Sequence, residues 1–286
     1  LSARTLLAAL GSLLVTGCVS FYFDAVNLPA AFGGIHRETN LAYGEDPRQR
    51  LDVYLPARTS RPPPVVVFWY GGGWTAGSKD EYRFVGVALA RAGYLAVLPD
   101  YRLYPQVRFP AFVDDAARAL VWVHAHIGAY GGDTARLYVM GHSAGAHQAA
   151  MLAFVPATLE RVGGDRRWIR GFIGLSGPYA LAPNSPVLNA IFAPPYQPAD
   201  WQPLRSVDAG APPSIIFHGT GDTTVSPSNS VDLDAALRAA GVRSQLYLYP
   251  GLGHAATVAV LSPLVRWHAP ELAQINAFIR QNDPSH

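Results

Sequence analysis

The stretch that most constrains this chain runs from Leu137 to His147, with the sequence Leu-Tyr-Val-Met-Gly-His-Ser-Ala-Gly-Ala-His. It reads as a short buried strand, a tight turn holding one serine, and the start of a helix. Gly141-His142-Ser143-Ala144-Gly145 fits G-x-S-x-G, a strand-to-helix elbow that presents a nucleophile. The turn is so sharp that the residues two before and two after the serine have no room for a Cβ, which glycine at both places accommodates. Ser143 is thereby expected in a strained conformation with its Oγ projecting. The positive end of the following helix faces whatever sits on that oxygen. A glycine-rich turn can match the pattern by chance, so the rest of the chain has to supply partners.

The body of the chain alternates strand and helix patterns. Arg50–Pro56 alternates apolar and polar residues as a strand does. Val65–Tyr70 and Tyr94–Pro99 are continuous apolar runs, the mark of strands buried on both faces of a parallel sheet. Further strands are expected at Ile169–Leu175, Ser214–His218 and Gln245–Tyr249. Helices are expected over Asp80–Ala92, Phe112–Ile127, 144–155, Ser228–Ala240 and Pro270–Arg280. Asp114 and Asp115 fall in a first helical turn, where the dipole favours acids. This alternation predicts an α/β fold with a mostly parallel central sheet and helices on both faces. Residues 176–213 are rich in proline and lack periodicity. They read as a small cap over a pocket, lined by Tyr179, Phe192, Tyr196 and Trp201, with a plain surface excursion as the alternative.

Sites in such sheets form at the carboxyl ends of strands. Ser143, Asp222 and His254 each stand in a loop directly after an expected strand. A serine hydroxyl needs a base beside it, and the chain has nine histidines. His124, His126 and His147 lie on expected helices. His218 ends a strand and reads as buried and structural. His36, His268 and His286 have no strand-end context, and His142 adjoins the serine but points elsewhere on the turn. His254 is the one in a glycine-flanked loop after a strand, so it is the candidate base. An acid must hold its tautomer. Asp222 follows the preceding strand, whereas Asp208, Asp232 and Asp234 lie in the proline-rich stretch or on a helix. Gly71-Gly72-Gly73 follows a buried strand, where backbone amides can approach a ligand. Gly72, Gly73 and the Ala144 amide are the candidate oxyanion donors. Trp74, His142, Tyr179 and Trp201 are the candidate substrate-binding residues.

The N-terminus carries a separate signal. Arg4 precedes an apolar run from Leu6 to Val15, followed by Thr16-Gly17-Cys18, the pattern of a secretory signal peptide over residues 1–17. The run is short for a bilayer span. Val15-Thr16-Gly17-Cys18 resembles the lipobox of bacterial lipoproteins, which implies export across the inner membrane and a lipid anchor on Cys18 in the cell envelope; an ordinary signal peptide is the alternative. Residues 18–47 read as a leader or tether and 48–286 as the folded domain. Cys18 is the sole cysteine, so no intramolecular disulfide can form and stability rests on packing. The hydrophobic share is 50%, the charged share 15% and the net charge +2. With no basic block, these values suit one sizeable core and argue against nucleic acid as a partner.

Gly71–Trp74, Asp100-Tyr101-Arg102, Gly131-Gly132-Asp133 and the elbow at 141–145 together resemble the α/β-hydrolase esterases. The likeness is to the branch around hormone-sensitive lipase, isoprenylcysteine methylesterase and kynurenine formamidase, over roughly residues 48–280. The order Ser143, Asp222, His254 is that of the family. Tyr70 stands where hormone-sensitive-lipase relatives carry a histidine that supports the glycine loop. The resemblance implies an α/β-hydrolase fold and a serine carboxylesterase acting on esters with short acyl groups, without metal or organic cofactor. The alternatives are an amidase of the arylformamidase type and a non-catalytic binding protein on the same fold.

Overall fold

The computed structural model describes residues 23–30, 34–57 and 60–283. The signal peptide over 1–17 and the anchor at Cys18 lie outside the described residues. Among the described residues, no helix is long and apolar enough to cross a membrane.

The elements follow one another as α1 (residues 23–30), β1 (His36–Ala42), β2 (Arg50–Leu55), β3 (Pro64–Trp69), α2 (Arg83–Arg91), β4 (Leu95–Pro99), α3 (Ala111–His126), β5 (Asp133–His142) and α4 (Ala144–Phe154). After these come α5 (Pro156–Glu160), β6 (Ile169–Leu175), α6 (Pro186–Ile191), α7 (Pro198–Trp201), β7 (Ser214–Gly219), α8 (Ser228–Ala239), β8 (Ser244–Tyr249), α9 (Ala256–Ala259) and α10 (Glu271–Gln281). The strands form one eight-stranded sheet in the order β1-β2-β4-β3-β5-β6-β7-β8. Every pairing from β4 to β8 is parallel, while β1 and β2 run antiparallel at one edge. The progression reverses at β3, so a crevice opens beyond the carboxyl ends of β3 and β5, the switch point at which such sheets bind ligands. This is the α/β-hydrolase fold.

The central strands read as unbroken apolar runs because both faces are covered. Tyr138 of β5 pairs in register with Gly171, and Val139 with Phe172. Successive residues alternate faces, so Tyr138 and Phe172 point to opposite sides. Tyr138 meets Phe278 of α10 at 6.4 Å between ring centroids, while Phe172 meets Phe154 of α4 at 5.0 Å. Each fully buried aromatic of this kind contributes about 1.5–3 kcal/mol.

Two differences from the sequence reading have physical causes. The expected leader over 18–47 contains β1, which pairs with β2 and belongs to the sheet. Its residues are half-exposed or exposed at an edge, and its register shifts between Glu38 and Leu41, where Asn40 takes a left-handed φ of 57°. Such a strand carries no alternation to read. Asp115 does not serve the helix dipole. It is fully buried and accepts Arg102 Nε at 2.8 Å and Nη2 at 2.7 Å, so the Asp-Tyr-Arg loop is pinned to α3. The proline-rich segment holds α6, α7 and a further turn at Pro203–Ser206, each begun by a proline at its first position. Proline's fixed φ suits helix starts, which explains the composition without disorder.

Candidate active site

The elbow is built as its glycines require. Ser143 has φ 54° and ψ −121°, a conformation that costs energy and persists only where surroundings enforce it. A Cβ on Gly141 would stand 2.3 Å from the Gly145 carbonyl oxygen, and one on Gly145 would stand 2.0 Å from that of Trp69 in β3. The second clash reaches a neighbouring strand, so Gly145 lets α4 sit against β3 as well as β5. The Ser143 amide bonds the Leu175 carbonyl at 2.9 Å, and the His147 amide bonds the Ser143 carbonyl at 3.1 Å. The Ala144 amide heads α4, among the amides that have no intrahelical acceptor.

Asp222 and His254 come together from the loops after β7 and β8. His254 Nδ1 donates to Asp222 Oδ2 at 2.7 Å. The same oxygen lies 3.1 Å from His218 Nε2, while Oδ1 accepts the amides of Thr224 and Val225, both at 2.9 Å. Burial alone would raise this carboxyl's pKa. The bonds from His218, His254 and the Val225 backbone outweigh it and hold the group well below the usual carboxylate range. His218 is fully buried, as its strand-end position predicts. Its Nε2–H also reaches the Val225 carbonyl at 3.0 Å, and the Ser230 hydroxyl donates to its Nδ1 at 2.7 Å. With Nδ1–H bound to the acid, the lone pair of His254 is on Nε2, the arrangement a general base needs.

The glycine loop after β3 passes directly against the serine. A Cβ on Gly71 would stand 3.0 Å from Ser143 Cβ and 2.9 Å from His142 Nδ1. Gly72, Gly73 and Trp74 all have positive φ, at 129°, 59° and 60°, and the amides of Thr75 and Ala76 turn back onto the Gly72 carbonyl at 3.1 Å. Tyr70 supports this loop. Its hydroxyl accepts Arg48 Nη2 at 2.8 Å, its carbonyl accepts the Tyr101 hydroxyl at 2.9 Å, and its ring stacks on Tyr101 at 4.6 Å.

The candidate substrate-binding residues divide. Trp74 and Trp201 join one aromatic cluster beside the elbow helix. Trp74 meets His147 at 5.3 Å and Phe192 at 4.9 Å, both edge-on, and Phe192 meets Trp201 at 5.5 Å. His147 is fully buried and ties the proline-rich segment to the elbow by donating Nε2–H to the Trp201 carbonyl at 2.7 Å. Burial pushes its pKa down to about 4, so the ring stays neutral. Tyr179 is a correction. It has no exposed surface and meets Phe172 at 5.9 Å, and its hydroxyl fills the space a Cβ on Gly174 would take, at 2.1 Å. It is a core residue beneath the end of β6. A glycine inside an apolar strand was the available signal, because it marks the close approach of another group.

His142 is the second correction. It is 3% exposed and both ring nitrogens are engaged, so it lines no pocket. Nε2 lies 3.1 Å from the backbone carbonyl of His254, and Nδ1 lies 3.3 Å from the hydroxyl of Tyr82. Its ring centroid is 4.8 Å from that of His254. Burial, with the neighbouring His254, pushes its pKa down to about 3. Sequence reasoning missed Tyr82, which sits in a single 3₁₀ turn, Lys79–Tyr82, and carries no motif.

Comparison with known proteins adds relatives to this geometry. The BD-FAE family model matches residues 51–165, and the prolyl oligopeptidase family model matches residues 193–281. Isoprenylcysteine alpha-carbonyl methylesterase of Arabidopsis thaliana is 35% identical over 239 residues, covering 75% of this chain and 56% of the plant protein. Kynurenine formamidase of Danio rerio is 36% identical over 147 residues, covering 50% of this chain and 47% of the fish protein. The chain thus spans about half the length of these relatives. Among solved structures, a thermophilic esterase from Thermogutta terrifontis with butyrate bound superposes with a TM-score of 0.73 at 26% identity. That match covers 87% of this chain and 95% of the other.

Proposed function

We propose, for a chain that belongs to the α/β-hydrolases, that it is a serine carboxylesterase cleaving short-chain carboxylic esters through an acyl-enzyme. The observation that carries this reading is the 2.7 Å bond between His254 Nδ1 and Asp222 Oδ2, at the same sheet edge as a serine held at φ 54°. In this reading Ser143 Oγ attacks the ester carbonyl while His254 Nε2 takes its proton. Asp222 holds the imidazole in the required tautomer and stabilises its charged form. The amides of Gly72, Gly73 and Ala144 receive the developing oxyanion. His254 returns the proton to the departing alcohol. Water then attacks the acyl carbonyl as His254 takes its proton, and the acid leaves as His254 passes that proton to Ser143 Oγ.

The aromatic cluster supports a short acyl group. Trp74, Phe192 and Trp201 are each no more than 5% exposed and fill the volume beside the elbow helix. A nitrophenyl ester series should peak at acetate to butyrate and fall with longer chains. No nitrophenol release from any ester by folded protein defeats the esterase reading. Ser143→Ala should remove on the order of 10⁶-fold of the rate; substantial residual turnover assigns the nucleophile elsewhere. The formamidase relative favours a second reading, cleavage of an N-formyl arylamine by the same residues. Faster turnover of that amide than of the acetate ester would replace the first reading with the second.

For location, the Val15–Cys18 pattern supports a lipid anchor on Cys18 that holds the protein at the cell envelope. Mass spectrometry of the mature N-terminus tests it, with a diacylated Cys18 expected. A free N-terminus beyond residue 18 refutes it.

A further inference from the structure

His142 and Tyr82 join two loops that the sheet itself cannot join. The glycine loop follows β3 and the base loop follows β8, and β5, β6 and β7 lie between those strands. Adjacent strands are rotated by roughly 20–25° each, so the sheet sets only a coarse relation between the two loops. The side chains supply a direct path. His142 Nδ1 lies 3.3 Å from the Tyr82 hydroxyl and 2.9 Å from where a Cβ on Gly71 would stand, and its Nε2 lies 3.1 Å from the His254 carbonyl. The proton positions follow from the ends. A carbonyl can only accept, so Nε2 carries the hydrogen. Nδ1 is then the acceptor, and the Tyr82 hydroxyl donates to it. The His254 carbonyl has a second tie: Thr257 Oγ1 donates to it at 2.7 Å and is itself 2.9 Å from Ser176 Oγ at the end of β6. The base residue is therefore fixed at its backbone from the elbow and from β6, and at its ring from Asp222.

We propose that His142 is a positioning residue. Packed against Gly71 and bonded to Tyr82 on one side, and bonded to the His254 carbonyl on the other, it holds the base loop and the oxyanion loop at a fixed spacing across Ser143. The role is that of a spacer bonded at both ends. His142 exchanges no proton with substrate, and the ring has to remain neutral for both bonds to stand. This inference rests on the assignment of Ser143 and His254 as nucleophile and base.

Misplacing reacting groups by about 1 Å costs on the order of 10²-fold in rate. His142→Phe keeps the bulk and removes both bonds, so kcat for p-nitrophenyl acetate should fall by roughly that factor with KM nearly unchanged. His142→Gln can donate to the His254 carbonyl and accept from Tyr82, and should recover kcat to within about tenfold of the parent. Tyr82→Phe should cost less than His142→Phe and add little to it, because both break one path. Equal losses in the Phe and Gln variants, a change confined to KM, or full additivity of the two sites overturns the proposal. If His142→Phe does not fold, the Gln and Tyr82→Phe variants carry the comparison. Nitrogen-15 NMR of the histidine-labelled parent between pH 5 and 9 reads the arrangement without turnover. His142 should hold one proton on Nε2 throughout. A His142 signal that titrates near the ordinary imidazole range, about 6.5, overturns the proposal even if the parent hydrolyses no ester. An inactive parent would itself refute the esterase reading alone.

Discussion

Two buried carboxyls stand in opposite condition. The Asp222 side chain is fully buried and receives donors from His254, His218 and the amides of Thr224 and Val225. Glu271, at the first position of α10, is fully buried as well, and neither of its oxygens has a hydrogen-bond partner among the described residues. The first is held well below the ordinary carboxylate range, while burial drives the second well above it. Depth alone therefore says nothing about whether an acid is charged. The donors decide, and for Asp222 they are assembled at the rim where β7 and β8 end. A buried acid with donors is a fixed negative charge available to a base; one without them is a neutral group that the fold must accommodate.

Removing the charge at Asp222 is the strongest way to break this contrast. Asp222→Asn keeps the shape but presents the wrong partner to His254 Nδ1, and kcat for ester hydrolysis should drop on the order of 10⁴-fold with a small change in KM. A loss below tenfold would mean that another group orients the base. The same variant carries a stability signature. A carboxyl whose folded pKa is depressed adds stability above its ordinary value, and that stability is lost as pH falls through the folded value. The parent should thus exceed Asp222→Asn in stability at pH 7, with the margin shrinking below about pH 4. Urea titrations at several pH values measure it.

A subtler cut removes one donor and leaves the charge. His218 has no route to substrate. It is wholly buried, with Nδ1 against Ser230 and Nε2 shared between Val225 and Asp222. A hydrogen bond to a charged group is worth about 1.5–3 kcal/mol. His218→Leu should therefore lower kcat by roughly 10- to 10²-fold and make the folded state more sensitive to acid. Unchanged kcat would show that the remaining donors suffice to hold Asp222.

The contrast between these regions also explains what the sequence could disclose. The strand-end positions of Ser143, Asp222 and His254 were legible because each follows a strand and stands among glycines, and a parallel sheet delivers such positions to one edge. His218 was legible as buried, since it closes a run of apolar residues, but its bond to Asp222 depends on how the loop after β7 folds back. Tyr82 and the neutral role of His142 were not legible, because the two side chains meet across 60 residues of chain and the other partner of His142 is a distant backbone carbonyl. Tyr179 was misread for the opposite reason. An aromatic residue in a proline-rich stretch suggests a pocket wall, yet this one lies just past β6 and turns its ring into the gap left by Gly174 and Gly177. Edge strand β1 was missed because exposed residues carry no period.

The smallest expected effect, and the one that isolates burial from donors, is at Glu271. Its folded pKa is raised, so between the ordinary glutamate value, about 4.3, and the raised value the native state binds more protons than the unfolded chain. Stability must then fall as pH rises through that window. Glu271→Met has similar length and no polar atoms, so it removes both the titration and the unpartnered oxygens. It should raise stability by about 1–3 kcal/mol at neutral pH, with a smaller gain near pH 4 and a flatter pH dependence in between. Ester hydrolysis should not change, since α10 lies across the sheet from α4 and its Phe278 packs on Tyr138. A loss of stability at pH 7 would mean that the carboxyl has a partner after all, a bound water or ion, and that Glu271 resembles Asp222 more closely than its bare oxygens suggest.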